Sequence, residues 1–373
     1  MKSTVLIAPD KFKGTLSASE VAVALGADLS SLATVTLMPL ADGGDGSIEA
    51  VARAGFEIVS LENSVPTHNA EPARMARRGD VFFIESAEFC GLSRVVGPLE
   101  PLNAHSLGVG LAVRAALDLG ARTIVLGVGG TASTDGGVGF LTGLGAKFTT
   151  EAGETVPPGG GGLFVISAAD FSDLDPRIAQ TKIVLASDVD SPLLGPLGAA
   201  KLFAPQKGAD PLQTEVLELG LGRLVKVMAK GSRLWAERTR VALETPGAGA
   251  GGGLGFAALF IGATRVSGAD YILDLLNIDE VLAGCNVVIT GEGSLDHQSL
   301  AGKLPVVLAE RARKKGIPVV GVAGTCRLSE DELLIAGFSK VYALDQFDSN
   351  CVNDPELSRR VLTQIGEVIG HGL

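Results

Sequence analysis

Aromatic side chains are scarce in this chain: phenylalanine, tyrosine and tryptophan together make up 5% of its 373 residues, with two tyrosines and one tryptophan. Its core must therefore be built from alanine, valine, leucine and isoleucine. There is enough material for that, since 46% of the residues are hydrophobic and the mean hydropathy is positive. Cysteine is sparse too. Cys90, Cys285, Cys326 and Cys351 lie far apart and form no Cys-x-x-Cys pair, which argues against a zinc site and for a reducing compartment. Positive charge is in deficit, 31 Lys and Arg against 42 Asp and Glu, a formal net charge of -11. That disfavours nucleic acid or an anionic membrane as partner, but not a small anionic substrate, for which the local field decides. No apolar run reaches membrane-spanning length free of charge. The start, MKSTVLIAPDKFKG, carries Asp10 and Lys11 and no long apolar core, so no signal peptide is expected and the chain is read as soluble and cytoplasmic. No internal repeat and no low-complexity tail appear.

Glycine is abundant, with 50 residues, clustered in loops after apolar runs. That is the pattern of an α/β enzyme and not of a repeat or a fibre, and the length suffices for two domains. Segment 127–140, GVGGTASTDGGVGF, organises the rest. The β-branched run before it reads as a buried parallel strand, and 138–144 reads as a helix. A strand, a glycine-rich turn and a helix form an anion-binding geometry, because glycine lets the backbone approach an oxyanion and the helix N-terminus offers free N–H groups. Gly129, Gly130, Thr131, Ser133 and Asp135 are the candidates. A phosphate would repel Asp135 unless a metal sat between them. The plainer alternative makes the glycines a tight turn and Asp135 a helix cap.

In chain order, 4–8 reads as a strand, followed by a turn with Asp10, Lys11 and Lys13, then a helix to about 29 with Ser17 and Glu20 as a capping box. Side chains on such a loop stand at the carboxyl edge of the strand, where open α/β sheets bind ligands. A second strand at 34–37 leads to Asp42, Gly43, Gly44, Asp45 and Gly46, half of a metal or polar-substrate site or else a turn cluster. Strands are expected at 56–61 and 81–85 and a helix at 107–119. The strand 183–186 ends in Asp188 and Asp190, an arrangement suited to Mg²⁺, which takes carboxylate and water oxygens. Lys207 lies in a loop beside Gly208, and 212–234 reads as one long amphipathic helix with a solvated charged face. The run 246–255, PGAGAGGGLG, lacks the lysine of a P-loop and is either a phosphate cradle or a hinge. A strand at 286–290 runs into Gly291, Glu292, Ser294, Asp296 and His297, with Lys303 just inside the next helix. His297 reads as a surface residue. A strand at 318–323 and a helix at 355–369 close the chain.

With these motifs in place, the sequence resembles the bacterial type-I glycerate kinase family. The matching segments are APDKFKGT (8–15), PLADGGDG (39–46), GGTASTDGG (129–137), SDVDSPLLGP (187–196), APQKGA (204–209), PGAGAGGGLG (246–255) and GEGSLDHQSLAGK (291–303). Stretch 103–111 departs from the family pattern, so the resemblance carries no role to His105 or Leu107. It implies ATP-dependent phosphorylation of D-glycerate, with 2-phosphoglycerate as the product generally associated with bacterial members. It also implies two α/β domains: one Rossmann-like, with a mainly parallel sheet, made from 1–60 and 245–373, the other a mixed α/β domain, 61–244, inserted in it, with the active site between them.

Phosphoryl transfer needs positioning and charge neutralisation. On that basis Mg²⁺ is expected on Asp188, with Asp190 second, and the phosphates on Lys11, Lys13, Lys207 or Lys303 and the backbone at Gly129 and Gly130. The glycerate carboxylate would take a lysine with Thr131 and Ser133, and Asp42 or Asp135 would orient or deprotonate the hydroxyl. Gly291, Glu292, Ser294 and Asp296 belong to the same expected site. The expected partners are D-glycerate and ATP, and a homodimer stays open. A 3-kinase giving 3-phosphoglycerate is the nearest alternative. An NAD(P)-dependent dehydrogenase is disfavoured because no Gly-x-Gly-x-x-Gly follows the first strand. A non-catalytic sensor is disfavoured because no output module is recognisable.

Overall fold

The computed structural model describes residues 2–12, 14–61 and 72–373. Among these, thirteen strands follow one another: β1 (Thr4–Ile7), β2 (Thr34–Leu37), β3 (Glu57–Leu61), β4 (Ala73–Arg78), β5 (Val81–Glu85), β6 (Thr123–Gly127), β7 (Lys147–Thr149), β8 (Ala168–Asp170), β9 (Lys182–Ala186), β10 (Thr264–Val266), β11 (Val287–Leu295), β12 (Val319–Cys326) and β13 (Lys340–Ala343). The protein is mixed α/β with mainly parallel sheet. Its contacts separate two compact units, one of 1–42, 49–54 and 267–373, the other of 43–48 and 55–266.

The first unit holds a five-stranded sheet in the order β13-β12-β11-β1-β2, parallel throughout. β1 and the first half of β11 are rich in β-branched residues, and Val5, Ile7 and Ile289 are fully buried, as expected of strands covered on both faces. Ser17 caps the helix Ala18–Leu32, its hydroxyl accepting from Glu20 N while the Glu20 carboxylate reaches back to Ser17 N at 2.8 Å. That helix packs on the closing helix Pro355–His371 at Gly366, where a Cβ would stand 2.2 Å from the Leu25 carbonyl oxygen. The chain leaves this sheet after β2, because β3 hydrogen-bonds to β4. It returns at 267 and not 245, because β10 pairs with β9.

The second unit holds a six-stranded sheet in the order β10-β9-β6-β5-β4-β3. The pairs from β10 to β5 are parallel and the last two antiparallel. A small antiparallel pair, β7 and β8, stands apart. The few aromatics concentrate here: the Trp235 ring stacks on Phe260 with centroids 5.3 Å apart, and both meet Phe171. The single long helix expected over 212–234 is two, Pro211–Met228 and Arg233–Glu244. Gly231 interrupts it, and Ser232 caps the second by accepting from Trp235 N. Among the described residues, no helix is long and apolar enough to cross a membrane.

Candidate functional site

Two polar centres stand out, one in each unit. In the first unit, β1 leads to β2 on one side, while β11, β12 and β13 extend on the other. The chain direction therefore diverges between β1 and β11, the position at which open α/β sheets form a crevice at their strand ends. A cavity of about 420 Å³ lies there, lined by Asp10, Lys11 and Thr15 after β1, Asp42 after β2, Glu292 and Ser294 on β11, Lys303, and Thr325 and Arg327 around the end of β12. Phe12 and Leu344 are its large apolar walls.

The charges in this cavity depend on one another. The Asp10 carboxylate accepts from Lys11 N at 2.7 Å, and its backbone is held by a hydrogen bond from Asp10 N to the Gly291 carbonyl. Burial, and then the negative Asp42, push Asp10 up to about 8. Glu292 is 7% exposed. One of its oxygens meets Lys303 Nζ at 3.1 Å, while Oε1 is buried without a hydrogen-bond partner. Burial raises the Glu292 carboxyl above the ordinary carboxylate range, against the pull of Lys303. Ser294 accepts from Thr325 Oγ1 at 3.2 Å. Gly291 serves strand packing, since a Cβ there would stand 1.7 Å from the Val322 carbonyl oxygen. Asp296 caps a turn by accepting from the amides of Gln298 and Ser299. His297 is exposed and faces Glu332 at 3.3 Å.

The centre of the second unit is built on close backbone packing. Gly127 and Gly129 approach the 43–44 backbone, where Cβ atoms would meet Gly43 O at 2.2 Å and Gly44 Cα at 2.7 Å. Gly252 and Gly253 have positive φ and press on the 133–136 turn, a Cβ at Gly252 standing 2.0 Å from Ser133 O, and Gly136 N donates to Gly252 O at 3.0 Å. The run 246–255 thus packs closely against segment 127–140 at Gly252 and Gly253. Lys207 is 4% exposed, and its Nζ donates to Ser133 O at 2.6 Å and Thr131 Oγ1 at 3.3 Å. Both acceptors are neutral, and burial brings the lysine down to about 8. Nearby, burial pushes the Cys90 thiol up to about 12, and Ser133 Oγ lies 3.9 Å from its sulfur.

Asp135 is committed to the protein. It is 1% exposed and accepts from Ser106 N, Ser106 Oγ, Gly137 N and Gly139 N at 2.9–3.1 Å. Both of its oxygens are thus occupied by donors from Ser106 and from the backbone at 137–139. Asp188 is half-buried at the tip of β9, whereas Asp190 is exposed and paired with Arg265 at 2.5 Å. No group of three or more His, Cys, Asp or Glu among the described residues could hold a metal ion. Mg²⁺ in a kinase needs only one or two carboxylates, because water and phosphate complete its shell, so Asp188 alone is compatible with that chemistry. Lys13 lies outside the described residues.

The structure therefore brings together Lys11, Asp42, Glu292, Ser294 and Lys303 in the first unit, and Thr131, Ser133 and Lys207 in the second. Sequence reasoning passed over Arg327, which carries no motif, and named Asp10 only as part of a turn, although Asp10 adjoins Lys11 in the first signature. It also missed Glu85, whose buried carboxylate accepts from Gly46 N and Ile48 N at 3.1 and 3.0 Å and holds the 43–46 loop.

A charged cavity at the diverging strand ends of a parallel sheet, and a buried lysine that donates to a glycine-rich turn, are features an α/β enzyme acting on a small anion would need. The comparisons specify which. The profile of the glycerate kinase family matches residues 5–370. A glycerate 2-kinase of Escherichia coli (strain K12) is 38% identical over 86% of this chain and 85% of its own. A glycerate kinase of Bacillus subtilis (strain 168) is 34% identical over 91% and 90%. A crystal structure from Salmonella typhimurium LT2, described as a candidate glycerate kinase 2, superposes with a TM-score of 0.74 at 34% identity over 99% of both chains. The chain belongs to the glycerate kinase family, and it is a phosphotransferase.

Proposed function

We propose that the protein transfers the γ-phosphoryl group of ATP to the 2-hydroxyl of D-glycerate, giving 2-phosphoglycerate and ADP. The observation that carries this is the reach of the family match: residues 5–370 include both polar centres, so neither is an addition peculiar to this chain. The relative named a glycerate 2-kinase supports position 2 over position 3.

Little covalent chemistry is asked of the protein; it must position the substrates and neutralise charge. Lys207 suits a phosphate oxygen, because a buried ammonium with only neutral acceptors gains from an anion. The 129–130 backbone adjoins it. Asp188 is the residue that would hold Mg²⁺, which supplies charge neutralisation on the phosphates when bound. Asp190, held by Arg265, is left out of that role, and Asp135 is given a structural one. Lys11 and Lys303 supply positive charge to the first-unit cavity. The dehydrogenase reading has no support in the family match.

Phosphorus NMR of the product formed from ATP and D-glycerate tests the proposal. A monoester signal coupled to the C2 proton is expected. A signal coupled to the C3 methylene protons would establish a 3-kinase, and absence of glycerate-dependent ADP would refute the activity itself.

A further inference from the structure

Most of the residues that line the first-unit cavity are polar or charged. Apart from Phe12 and Leu344 it offers no large apolar wall, and both of these side chains are themselves nearly completely buried. A nucleobase is usually bound between apolar or aromatic faces, so the lining fits a compact polyhydroxy anion better than a nucleoside. Three carboxylates (Asp10, Asp42, Glu292) and three cations (Lys11, Lys303, Arg327) face it. That mixture suits a hydroxy acid, whose hydroxyls donate to carboxylates and whose carboxylate needs a cation. It suits a bare phosphate poorly. Two observations point to a missing ligand. The Glu292 Oε1 atom is buried without a partner in a residue that lines the cavity. The Arg327 guanidinium lines the same cavity and makes no ion pair or hydrogen bond among the described residues, while Lys303 is already engaged by Glu292.

We propose that this cavity is the acceptor subsite, in which Arg327 receives the carboxylate of the hydroxy acid and Asp10 takes the proton of the hydroxyl that is phosphorylated. This rests on the reading of the chain as a glycerate-phosphorylating kinase. In the step, the hydroxyl O–H bond breaks and its proton passes to an Asp10 carboxylate oxygen. The freed oxygen bonds to the γ-phosphorus of ATP, the bond from that phosphorus to the bridging oxygen breaks, and ADP leaves. Asp10 then returns the proton to solvent. Asp10 is placed for this by β1, whose carboxyl end it follows, and by its hydrogen bonds to Lys11 N and from its own amide to Gly291 O. It is the most buried of the charged groups in the lining after Glu292. Burial, with Asp42 beside it, makes it a stronger base. The groups facing it from the neighbouring elements are Lys11, Asp42, Glu292, Lys303 and Arg327.

The test uses the full chain and three readouts. Asp10→Asn should lower kcat by about 10²-fold, within the range for a lost general base. The KM for ATP should stay within about threefold, and the acidic limb of kcat/KM should disappear. That limb is expected near pH 8 in the wild type, where rate rises with pH as Asp10 loses its proton. Arg327→Met alters an exposed side chain and should leave folding intact, while raising the KM for glycerate at least about tenfold, as for a lost charge-assisted pair, with the KM for ATP unchanged. Calorimetric titration of glycolate, lactate and D-glycerate without nucleotide reads the subsite directly: binding in the wild type should be lost in Arg327→Met. If wild-type enzyme releases no ADP with glycerate, the proposed activity fails while the titration still reports on the cavity. Normal turnover with an intact pH limb in Asp10→Asn overturns its role as base. Absence of hydroxy-acid binding, or binding indifferent to Arg327→Met, overturns the subsite.

Discussion

The two polar centres hold charge in opposite ways. In the first unit, carboxylates and cations share a cavity open to ligand, and burial raises Asp10 and Glu292, the first further by Asp42 and the second against the pull of Lys303. In the second, one ammonium, Lys207, is sealed among neutral oxygens within interlocked glycine-rich segments. Substitutions in the first centre should therefore change pH dependence and affinity, whereas those in the second should change either the fold or a single electrostatic contribution. Glycines 251–253 also show why a glycine-rich run need not signal a ligand by itself: at each a Cβ would stand within 3 Å of an atom of the 128–136 segment.

The strongest way to break the comparison is Gly252→Ala. The added Cβ would stand 2.0 Å from Ser133 O at a φ of +69°, so overpacking and left-handed strain add. A loss of about 4 kcal/mol is expected, read by urea unfolding. A variant as stable as the wild type would mean that the two segments are not locked.

Lys207→Met should lower turnover by about 10²-fold, as for loss of a preorganised charge, without a fall in stability. The sign follows from the shift. Lys207 titrates at about 8 in the folded protein against an ordinary 10.5. Between those values the unfolded chain holds more protons, so wild-type stability rises with pH across that window, and the burden of the buried charge is fully present below about pH 8. Unfolding at pH 7.5 and 9.5 should show the wild type gaining on Lys207→Met at the higher pH. An unchanged difference would mean that an unseen anion neutralises the lysine.

Asp188→Asn and Asp190→Asn sharpen the contrast within one strand tip. The first should lower turnover by about 10²-fold in saturating Mg²⁺, with the melting temperature little changed. Near-normal turnover would remove Asp188 from metal binding, and a large drop in melting temperature would make it a cap. The second loses only an exposed pair with Arg265. Its effect should be the smallest, under about 1 kcal/mol in stability and under about twofold in rate, which ordinary kinetics and thermal melts can resolve from the first.

Much of this was legible before folding. Apolar β-branched runs at 4–7, 123–127, 182–186 and 287–290 are strands because their side chains bury on both faces, and Ser17 with Glu20 announces its capping box. The aspartates were harder to read. Asp135 and Asp188 look equivalent as acidic residues beside glycine or serine, yet the first is filled by four donors that include the backbone and side chain of Ser106, 29 residues earlier. Nothing local to Asp135 could reveal that.

The sequence by itself determined the order of the strand, loop and helix units, because periodicity and turn chemistry are local properties, and its motif segments carried the resemblance to the family. Tertiary structure alone decided where the chain leaves and rejoins the first sheet, since that depends on which strand β3 and β10 find as partners. It also decided which carboxylates meet donors from distant segments, as Asp135 does from Ser106. Burial and the arrival of donors from distant segments set the state of an ionisable group, and both are properties of the packed chain, not of its neighbours in sequence.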